Sequence, residues 1–266
     1  MGQKTYIMGI VNVTPDSFSD GGDFFDPDKA YEAIMQMIDD GADIIDIGAQ
    51  STGPGHKEIS DAEEWERLEK VLEKIKGKVS VPISIDTYFP FVAKKALENG
   101  AHIINDVSGV FNPEMAQIVK TFNAGWVVMH TGGGTADIVA DTPDIIKSVN
   151  DFFDEMTEKC LSFGISKEQI CLDMGIGFGK TYEQNIELIA NIAKITRDDM
   201  PLLTGLSRKR VVGTATNTLD PKERLYGNIA AHCAVIAGGT DIIRVHSVKE
   251  EKQGAMMADA IYRKVK

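Results

Sequence analysis

Three side chains whose oxygens accept hydrogen bonds stand at the ends of short apolar runs: Asp86, Asn105 and Asp173. Carboxylate and amide oxygens that converge suit a ring with several N–H donors, such as an amino-pyrimidine. A single aspartate at such a position is more often a loop cap than a catalyst. Polar groups recur, however, after every apolar run of this chain, and burying so many is costly unless they pair or bind something. These three residues are therefore candidates for binding a nitrogen heterocycle.

Side chains that supply cationic donors follow the last two apolar runs. Lys209 lies in the segment Ser207-Arg208-Lys209, and Arg244 and His246 end the final run. In barrels of repeated strand–helix units, the loops after strands seven and eight often bind phosphate. One wall of the predicted site therefore suits N–H donors and another suits anions. Together they indicate an anionic, heteroaromatic substrate, a nitrogen heterocycle that carries phosphate.

The elements that must position these groups alternate strictly along the chain. Ile- and Val-rich runs of four to eight residues are typical of strands buried on both faces of a parallel sheet. The predicted strands are Tyr6–Val13, Ala42–Gly48, Val81–Thr87, His102–Ser108, Gly125–His130, Ile170–Gly175, Pro201–Leu206 and Asp241–His246. The predicted helices are Pro27–Asp40, Ser60–Lys76, Pro90–Asn99, Pro113–Phe122, Pro143–Phe163, Glu183–Ile195, Pro221–Ala237 and Lys249–Lys264.

Repeated strand–helix units of this number predict an α/β fold, a (β/α)8 TIM barrel that forms a single domain over residues 1–266. Helix starts support the assignment: Asp26 precedes Pro27, and Ser60-Asp61-Ala62-Glu63 is a capping box. A doubly wound open sheet is the alternative. The absence of a GxGxxG motif after the first run disfavours it.

Composition argues against several classes of partner. A net charge of −12 with no basic stripe argues against nucleic acid and against an anionic membrane surface. No stretch approaches 18 apolar residues, so no membrane span is expected. Cys160, Cys171 and Cys233 fit no zinc or redox spacing and are expected to be core residues. Together with the lack of a secretory leader pattern, they predict a cytoplasmic protein.

Two loops rich in Gly, Ser and Thr are expected to be mobile and functional, Thr14–Gly22 and Gln50–Gly55. Phe18 in the first loop is either a lid aromatic or a loop-packing residue, with equal weight on both. The cluster Gly175–Gly179 resembles an anion-binding turn, although glycines after a strand are weak grounds alone. His130 at the end of the fifth run fits a satisfied core or loop histidine better than a catalyst.

The segment Met8-Gly9-Ile10-Val11-Asn12-Val13-Thr14-Pro15-Asp16-Ser17-Phe18-Ser19-Asp20-Gly21-Gly22 resembles the opening signature of the dihydropteroate synthases. Later segments are similar to further motifs of that family. They are Asp86-Thr87, Ile104-Asn105-Asp106-Val107-Ser108-Gly109, Gly175-Ile176-Gly177-Phe178-Gly179-Lys180-Thr181, Gly205-Leu206-Ser207-Arg208-Lys209 and Arg244-Val245-His246. The resemblance runs from the first strand to the last, and its first block is the most specific.

The resemblance implies a transferase of folate biosynthesis that condenses 6-hydroxymethyl-7,8-dihydropterin pyrophosphate with p-aminobenzoate. The products are 7,8-dihydropteroate and pyrophosphate, and Mg²⁺ is the implied cofactor. Such enzymes are commonly homodimers, so a homodimer is expected. The resemblance assigns catalysis to the strand-end charges: Asp86, Asp173, Lys209, Arg244 and His246.

The same resemblance distributes the binding roles. It implies that the pterin is held by Asp86, Asn105, Asp173 and Lys209. Asn12 binds the Mg²⁺–pyrophosphate with Arg244 and His246. Residues that border the p-aminobenzoate site or otherwise contact substrate are Thr52, Pro54, Phe178, Ser207 and Met129, with Phe18 in the closing first loop.

Several positions depart from the family pattern. The second loop usually contains an Arg where this chain has Gly53, and a Glu where it has Gln50. Arg210 after Lys209 and Ser247 after His246 also differ. The loss of the loop arginine leaves two alternatives open beside the synthase. One is a pterin-binding paralogue without this activity, and the other is a methyltetrahydrofolate-dependent corrinoid methyltransferase.

Overall fold

The strands close into one parallel barrel, as predicted. The computed structural model describes residues 2–14, 26–50, 58–197 and 199–264. Each strand is hydrogen-bonded to the next in chain order, and the last pairs with the first, so the sheet has no free edge. The strands are β1 (Tyr6–Asn12), β2 (Ile44–Gly48), β3 (Ile83–Asp86), β4 (Ile103–Asp106), β5 (Gly125–Met129), β6 (Ile170–Asp173), β7 (Leu202–Thr204) and β8 (Ile242–Val245).

Helices follow the strands on the outside of the barrel. Within the described ranges they are α1 (Pro27–Asp39), α2 (Asp61–Ile75), α3 (Pro90–Glu98), α4 (Pro113–Phe122), α5 (Ile145–Phe163), α6 (Tyr182–Ala190), α7 (Arg210–Thr216), α8 (Leu225–Ala237) and α9 (Val248–Tyr262). The predicted caps are present: Asp26 accepts from the Asp28 amide at 2.9 Å, and Ser60 accepts from the Glu63 amide at 3.2 Å. None of the described helices is long and apolar enough to cross a membrane.

One helix was missed in the sequence. Helix α7 consists largely of Val and Thr around Gly213, residues with low helix propensity, so no helical period was visible. Gly213 permits close packing, since a Cβ there would lie 2.4 Å from Nε of Arg224. Arg224 in turn donates to the carbonyls of Thr218 and Arg208 at 3.0 and 2.8 Å. Tertiary contacts, rather than local propensity, therefore stabilise α7.

Side chains of each strand alternate between two cores, as the period of two requires. The larger core fills the space between the strands and the helices and includes the fully buried Trp126 and Phe153. A smaller core lies inside the barrel. We call it the apolar layer, and its members are Met8, Ile44, Val127, Cys171 and Leu203, with Ile103 and Ile242 packed against them. Cys160 and Cys171 are buried as predicted, whereas Cys233 is half-buried.

Above the apolar layer, towards the C-terminal ends of the strands, the interior changes character. On five strands the inward-facing residue at this level is polar or charged, and we call these five residues the polar layer: Asp46, Asp86, Asn105, Asp173 and Arg244. The corresponding cavity-lining residues of β1, β5 and the end of β7 are Ile10, Met129 and Gly205. Asp86 ends β3 and stands beside Asn105 of β4 in the sheet register. Four of the five are at most 8% exposed, and the Arg244 side chain is 20% exposed. The fold therefore concentrates titratable groups at one end of the barrel.

Candidate active site

A cavity of about 710 Å³ opens at the C-terminal end of the barrel. Most of the residues predicted for the site line it: Asn12, Asp86, Asn105, Met129, Asp173, Phe178, Ser207, Lys209, Arg244 and His246. The other three predicted residues, Phe18, Thr52 and Pro54, lie outside the described ranges. Asp86 and Arg244, which are 158 positions apart in the chain, come within hydrogen-bond distance of each other.

Arg244 lies at the centre of the polar layer. Its Nε donates to Oδ2 of Asp46 at 2.6 Å, and its Nη2 donates to Oδ2 of Asp86 at 2.6 Å. Burial raises the pKa of the Asp86 carboxyl above its usual range, and the Arg244 guanidinium opposes that rise. Burial alone would lower the pKa of Arg244, but Asp46 and Asp86 raise it above its ordinary value. Arg244 is thus a permanent cation between two carboxylates.

This contact corrects the expectation of separate walls for N–H donors and for anions. Arg244, predicted on the anion side, is paired with Asp86, predicted on the heterocycle side. The reason is the closure of the sheet, which brings β8 across the barrel mouth from β3. One continuous charged surface therefore faces the cavity, where a ring and an attached anion would lie next to each other.

Asp173 and Lys209 form the opposite part of the cavity. Asp173 Oδ1 accepts from the Gly175 amide at 2.8 Å. Lys209 Nζ donates to the Ile176 carbonyl at 2.5 Å and lies 5.0 Å from the centre of the Phe178 ring. Burial lowers the pKa of Lys209 to about 8, and Asp173 limits the decrease. Burial also raises the pKa of Asp173, and Lys209 counteracts that rise.

The turn after β6 depends on glycine and on a lysine that the sequence analysis did not select. Gly175 has a φ of +65°, and a Cβ there would lie 1.9 Å from the His130 carbonyl oxygen. Lys180 Nζ donates to the carbonyls of His130, Gly175 and Phe178, each at 2.9 Å. Burial lowers the pKa of Lys180 to about 7. The available signal for Lys180 was its place at the end of the glycine-rich segment Gly175–Gly179.

His246 differs from its predicted state. Burial lowers its pKa to about 3, and the nearby Arg208, Arg244 and Lys209 lower it further, so the ring is neutral at pH 7. The prediction of a cationic donor was therefore wrong, because a further positive charge is unfavourable in a buried position beside three cations. Its Nδ1 lies 3.0 Å from Oγ of Ser207, which also accepts from the His246 amide at 3.2 Å. His246 and Ser207 thus join the ends of β8 and β7.

Two polar strand-end residues serve the structure instead. Asp106 points away from the barrel axis, where its carboxylate accepts from the Ser108 amide at 2.9 Å and from Trp126 Nε1 at 3.3 Å. His130 Nε2 lies 3.0 Å from Ser148 Oγ, and its ring lies edge-on against Phe152. Burial lowers the pKa of His130 to about 3. The interpretation of His130 as a core or loop histidine fits these contacts.

Known proteins are similar to this chain in sequence and in architecture. Residues 8–246 match the model of the family described as pterin binding enzyme. A dihydropteroate synthase of Synechocystis is 43% identical over 265 residues, which cover 98% of this chain and 92% of the relative. The chain belongs to the dihydropteroate synthase family of pterin binding enzymes.

Solved structures of dihydropteroate synthases agree with the assignment. The synthase of Clostridium difficile, determined in the presence of pteroic acid, superposes with a TM-score of 0.92 at 46% identity over 98% of both chains. The synthase of Xanthomonas albilineans, determined with 4-aminobenzoic acid, superposes with a TM-score of 0.91 at 34% identity over 98% of this chain and 94% of that one. The fold of this dihydropteroate synthase family member is therefore shared over nearly its full length.

Arg210 and Asp46 are further residues of this family member that sequence reasoning left unplaced. Arg210 lines the cavity, and its Nη2 donates to the Ala136 carbonyl, which ties the start of α7 to the loop after β5. Asp46 is fully buried beneath the cavity. A charge inside the otherwise apolar run Ile44–Gly48 was the available signal for Asp46. For Arg210 there was none, because its position depends on how two loops meet.

Proposed function

We propose that this chain is a dihydropteroate synthase that joins 6-hydroxymethyl-7,8-dihydropterin pyrophosphate to p-aminobenzoate. The observation that carries the proposal is the cavity, in which buried acceptors face half-buried cations and one such pair, Asp86 and Arg244, is hydrogen-bonded. The names of the relatives, and the pteroic acid and 4-aminobenzoic acid present with the two solved synthases, support the choice of substrates. An enzyme with this activity is a transferase of folate biosynthesis.

The acceptors of the polar layer suit the pterin. Asp86, Asn105 and Asp173 offer carboxylate and amide oxygens to the ring N–H groups, while Lys209 donates to a ring acceptor. When the bond between the exocyclic methylene carbon and the pyrophosphate oxygen breaks, positive charge spreads into the ring. Fixed carboxylates in a water-poor cavity stabilise that charge without reorganising, which is often the largest contribution to catalysis. Asp86 and Asp173 are the groups placed to do so.

The leaving pyrophosphate requires donors at the same end of the barrel. Arg244 keeps its positive charge at any ordinary pH. The neutral His246 ring donates a hydrogen bond without adding charge. These two side chains, with Asn12 at the end of β1, would hold the anion as the carbon–oxygen bond lengthens. The electron pair of the carbon–oxygen bond leaves with the pyrophosphate oxygen, because the bound donors stabilise the negative charge that forms there.

The arylamine completes the reaction. The nitrogen lone pair of p-aminobenzoate attacks the methylene carbon, a carbon–nitrogen bond forms, and one N–H proton leaves to solvent. An arylamine is unprotonated at neutral pH, so no strong general base is required. Phe178 and Ser207 line the part of the cavity next to Lys209 and would border the ring of this substrate. Thr52, Pro54 and Phe18 keep their predicted roles as neighbours of the substrate.

Mg²⁺ fits this site as an ion carried largely by the substrate. Within the described ranges no group of three or more His, Cys, Asp or Glu side chains could hold a metal. Mg²⁺ commonly uses one or two protein ligands and otherwise phosphate oxygens and water. The Asn12 side-chain oxygen at the cavity edge would supply such a ligand. When bound with pyrophosphate, Mg²⁺ offsets the negative charge of the leaving group.

The deciding experiment measures pyrophosphate release from the dihydropterin pyrophosphate with Mg²⁺, with and without p-aminobenzoate. We expect release that depends on p-aminobenzoate, with equimolar 7,8-dihydropteroate detected by mass spectrometry. Tight pterin binding without turnover would instead indicate the pterin-binding paralogue. Methyl transfer from methyltetrahydrofolate to a corrinoid protein, in the absence of condensation, would indicate the methyltransferase.

We propose a homodimer in the cytoplasm as the working form of the enzyme. Large apolar side chains are exposed on α8 and α9, namely Tyr226, Met256, Met257, Ile261 and Tyr262, each more than half exposed. Such a group on adjacent helices supports an interface with a second copy. Three free cysteine thiols support a reducing compartment. Sedimentation equilibrium of wild type and of Met257→Glu tests the dimer, which the added charge should dissociate.

A further inference from the structure

Asp46 lies behind the cavity, not in its wall. Its side chain is 0% exposed, and it is not among the residues that line the cavity. Its register neighbours in the sheet are Ile10 on β1 and Ser84 on β3, neither of which carries charge. A carboxylate buried in this way needs strong donors to compensate for lost hydration. The two side chains that donate hydrogen bonds to Asp46, Arg244 and Asn105, both line the cavity.

A single oxygen of Asp46 receives both of these hydrogen bonds. Oδ2 accepts from Nε of Arg244 at 2.6 Å and from Nδ2 of Asn105 at 3.2 Å. Arg244 and Asn105 come from β8 and β4, on different sides of the barrel. Asp46 therefore couples two cavity residues that have no hydrogen bond to each other within the described ranges.

The bond to Asn105 determines which end of its amide is available. Since Nδ2 is engaged by Asp46, the amide oxygen is the atom left to meet a ligand. Oδ1 of Asn105 is buried and has no hydrogen-bond partner among the described residues. A ligand N–H would satisfy this oxygen. Without the carboxylate behind it, the amide would be free to turn and present a donor to the same position.

The bond to Arg244 matters once a ligand arrives. Asp86 now accepts from Nη2 of Arg244, and the same Oδ2 atom is an acceptor that a pterin N–H would use. A ligand that takes this oxygen deprives Arg244 of one of its two carboxylate partners. The Asp46 carboxylate keeps the guanidinium neutralised and held through Nε, and its Nη groups are left to donate elsewhere.

We propose that Asp46 is a positioning residue that fixes Asn105 as a hydrogen-bond acceptor and holds Arg244 in place when a substrate binds Asp86. It acts on the substrate only through these two side chains. The proposal rests on the proposed function, because it concerns how the pterin part of that substrate is recognised. It adds a specificity determinant beneath the cavity to the residues in its wall.

The test compares two buried carboxylates. Asp46→Asn keeps the shape of the side chain but removes its charge. The hydrogen bond from Arg244 is weakened, and the substituted amide carries both a donor and an acceptor, so it no longer enforces one orientation of the Asn105 amide. Asp106→Asn is the matched control, because Asp106 is 3% exposed at the end of β4 but bonds to Ser108 and Trp126 away from the cavity. Calorimetry with the dihydropterin pyrophosphate and Mg²⁺, without p-aminobenzoate, measures binding in the absence of condensation.

We expect Asp46→Asn to raise the Kd, and the KM for the pterin substrate, at least tenfold. The KM for p-aminobenzoate should stay within twofold of wild type. Asp106→Asn should lower the Tm but leave the Kd within twofold. Equal Kd values for wild type and Asp46→Asn would overturn the proposal. If wild type binds the pterin but forms no dihydropteroate, the proposed function fails while the comparison of Kd values still tests Asp46.

A double-mutant cycle separates positioning from general destabilisation. In the Arg244→Gln background, Asp46→Asn should weaken pterin binding by a markedly smaller factor than in wild type, because one of its two targets is already gone. The same factor in both backgrounds would show that Asp46 does not act through Arg244. If Asp46→Asn alone fails to fold, the double variant removes both members of the buried pair. Its Kd is then compared with that of Arg244→Gln: a higher Kd reports the lost orientation of the Asn105 amide, and equal Kd values contradict that part of the proposal.

Discussion

The apolar layer and the polar layer of the barrel interior come from the same strands, only two residues apart. The corresponding pairs are Ile44 and Asp46, Ile103 and Asn105, Cys171 and Asp173, and Ile242 and Arg244. The lower members pack in the apolar layer, where the one recorded polar contact of their side chains is a weak 3.9 Å bond from Cys171 Sγ to the Leu172 carbonyl, whereas each upper member is hydrogen-bonded to a charged group or an amide. Two residues that are two positions apart on a strand point to the same face of the sheet but lie at different levels along the barrel axis.

One scaffold therefore separates stability from chemistry along the axis of the barrel. Apolar burial stabilises the fold by roughly 25 cal/mol for each Å² removed from water. Buried charges such as Asp86 lose their hydration, and the free energy of that loss is offset only by partners such as Arg244. We therefore expect substitutions in the apolar layer to alter the free energy of unfolding, and substitutions in the polar layer and at the cavity mouth to alter binding.

The largest effect should come from Lys209 at the cavity wall. Lys209→Ala removes the ammonium that most strongly offsets the raised pKa of Asp173, and with it a hydrogen-bond donor to the pterin ring. Loss of one partner of a desolvated, charge-assisted contact with a ligand costs about 2–5 kcal/mol in binding. We expect the Kd for the dihydropterin pyrophosphate to rise by two to three orders of magnitude in calorimetry. Lys249→Ala, at an exposed position in α9, is the control, and an unchanged Kd for Lys209→Ala would remove Lys209 from the site.

Leu203→Ala tests the apolar layer. Leu203 is fully buried inside the barrel, and large-to-small changes at such positions cost about 2–5 kcal/mol of folding free energy. We expect a lower denaturation midpoint in urea with both KM values within twofold of wild type. A selective change in the pterin KM, at unaltered stability, would show that the two layers are not energetically separate.

Gly53→Arg tests the mouth of the cavity at a position that follows β2 in the sequence and lies outside the described ranges. The family pattern places a cation there, and one charge-assisted hydrogen bond to a substrate is worth about 1.5–3 kcal/mol. If the chain has lost that contact, the substitution should lower the KM for the pyrophosphate substrate about tenfold or more. No change would mean that another side chain, for example Arg210, has taken over the role.

The smallest effect concerns the pH dependence of stability through Lys180. Its folded pKa of about 7 lies below the ordinary value of 10.5, so between these values the unfolded chain binds a proton that the folded chain has lost. This contribution therefore makes stability rise with pH across that window, by at most about 1.4 kcal/mol per pH unit. In Lys180→Met it is absent.

The measurement is the denaturation midpoint of both proteins from pH 7 to pH 9. The midpoint of wild type should rise relative to that of Lys180→Met, even though the variant loses three hydrogen bonds to carbonyls. Parallel curves for the two proteins would show that Lys180 keeps its proton throughout, held by those carbonyls.

Sequence patterns predicted much of this protein because they are local. The buried runs, the caps at Asp26 and Ser60 and the strict alternation were sufficient for the barrel, since eight such units close in few other ways. The position of polar residues after each run also predicted one shared site, because parallel strands all end on the same side. The inward direction of Asn105 and the outward direction of Asp106 follow from the same period of two.

Other features were decided only by the closed barrel. Helix α7 has no local signal and forms because Arg224 packs on Gly213. The pairing of Arg244 with Asp46 and Asp86 required strands from both ends of the chain to meet. The neutral state of His246 and the lowered pKa of Lys180 depend on burial among cations and carbonyls. Residue types and their spacing determine which groups enter the site. The charge and the partners of each group depend on distances between groups and on their common removal from water, and both exist only in the folded structure.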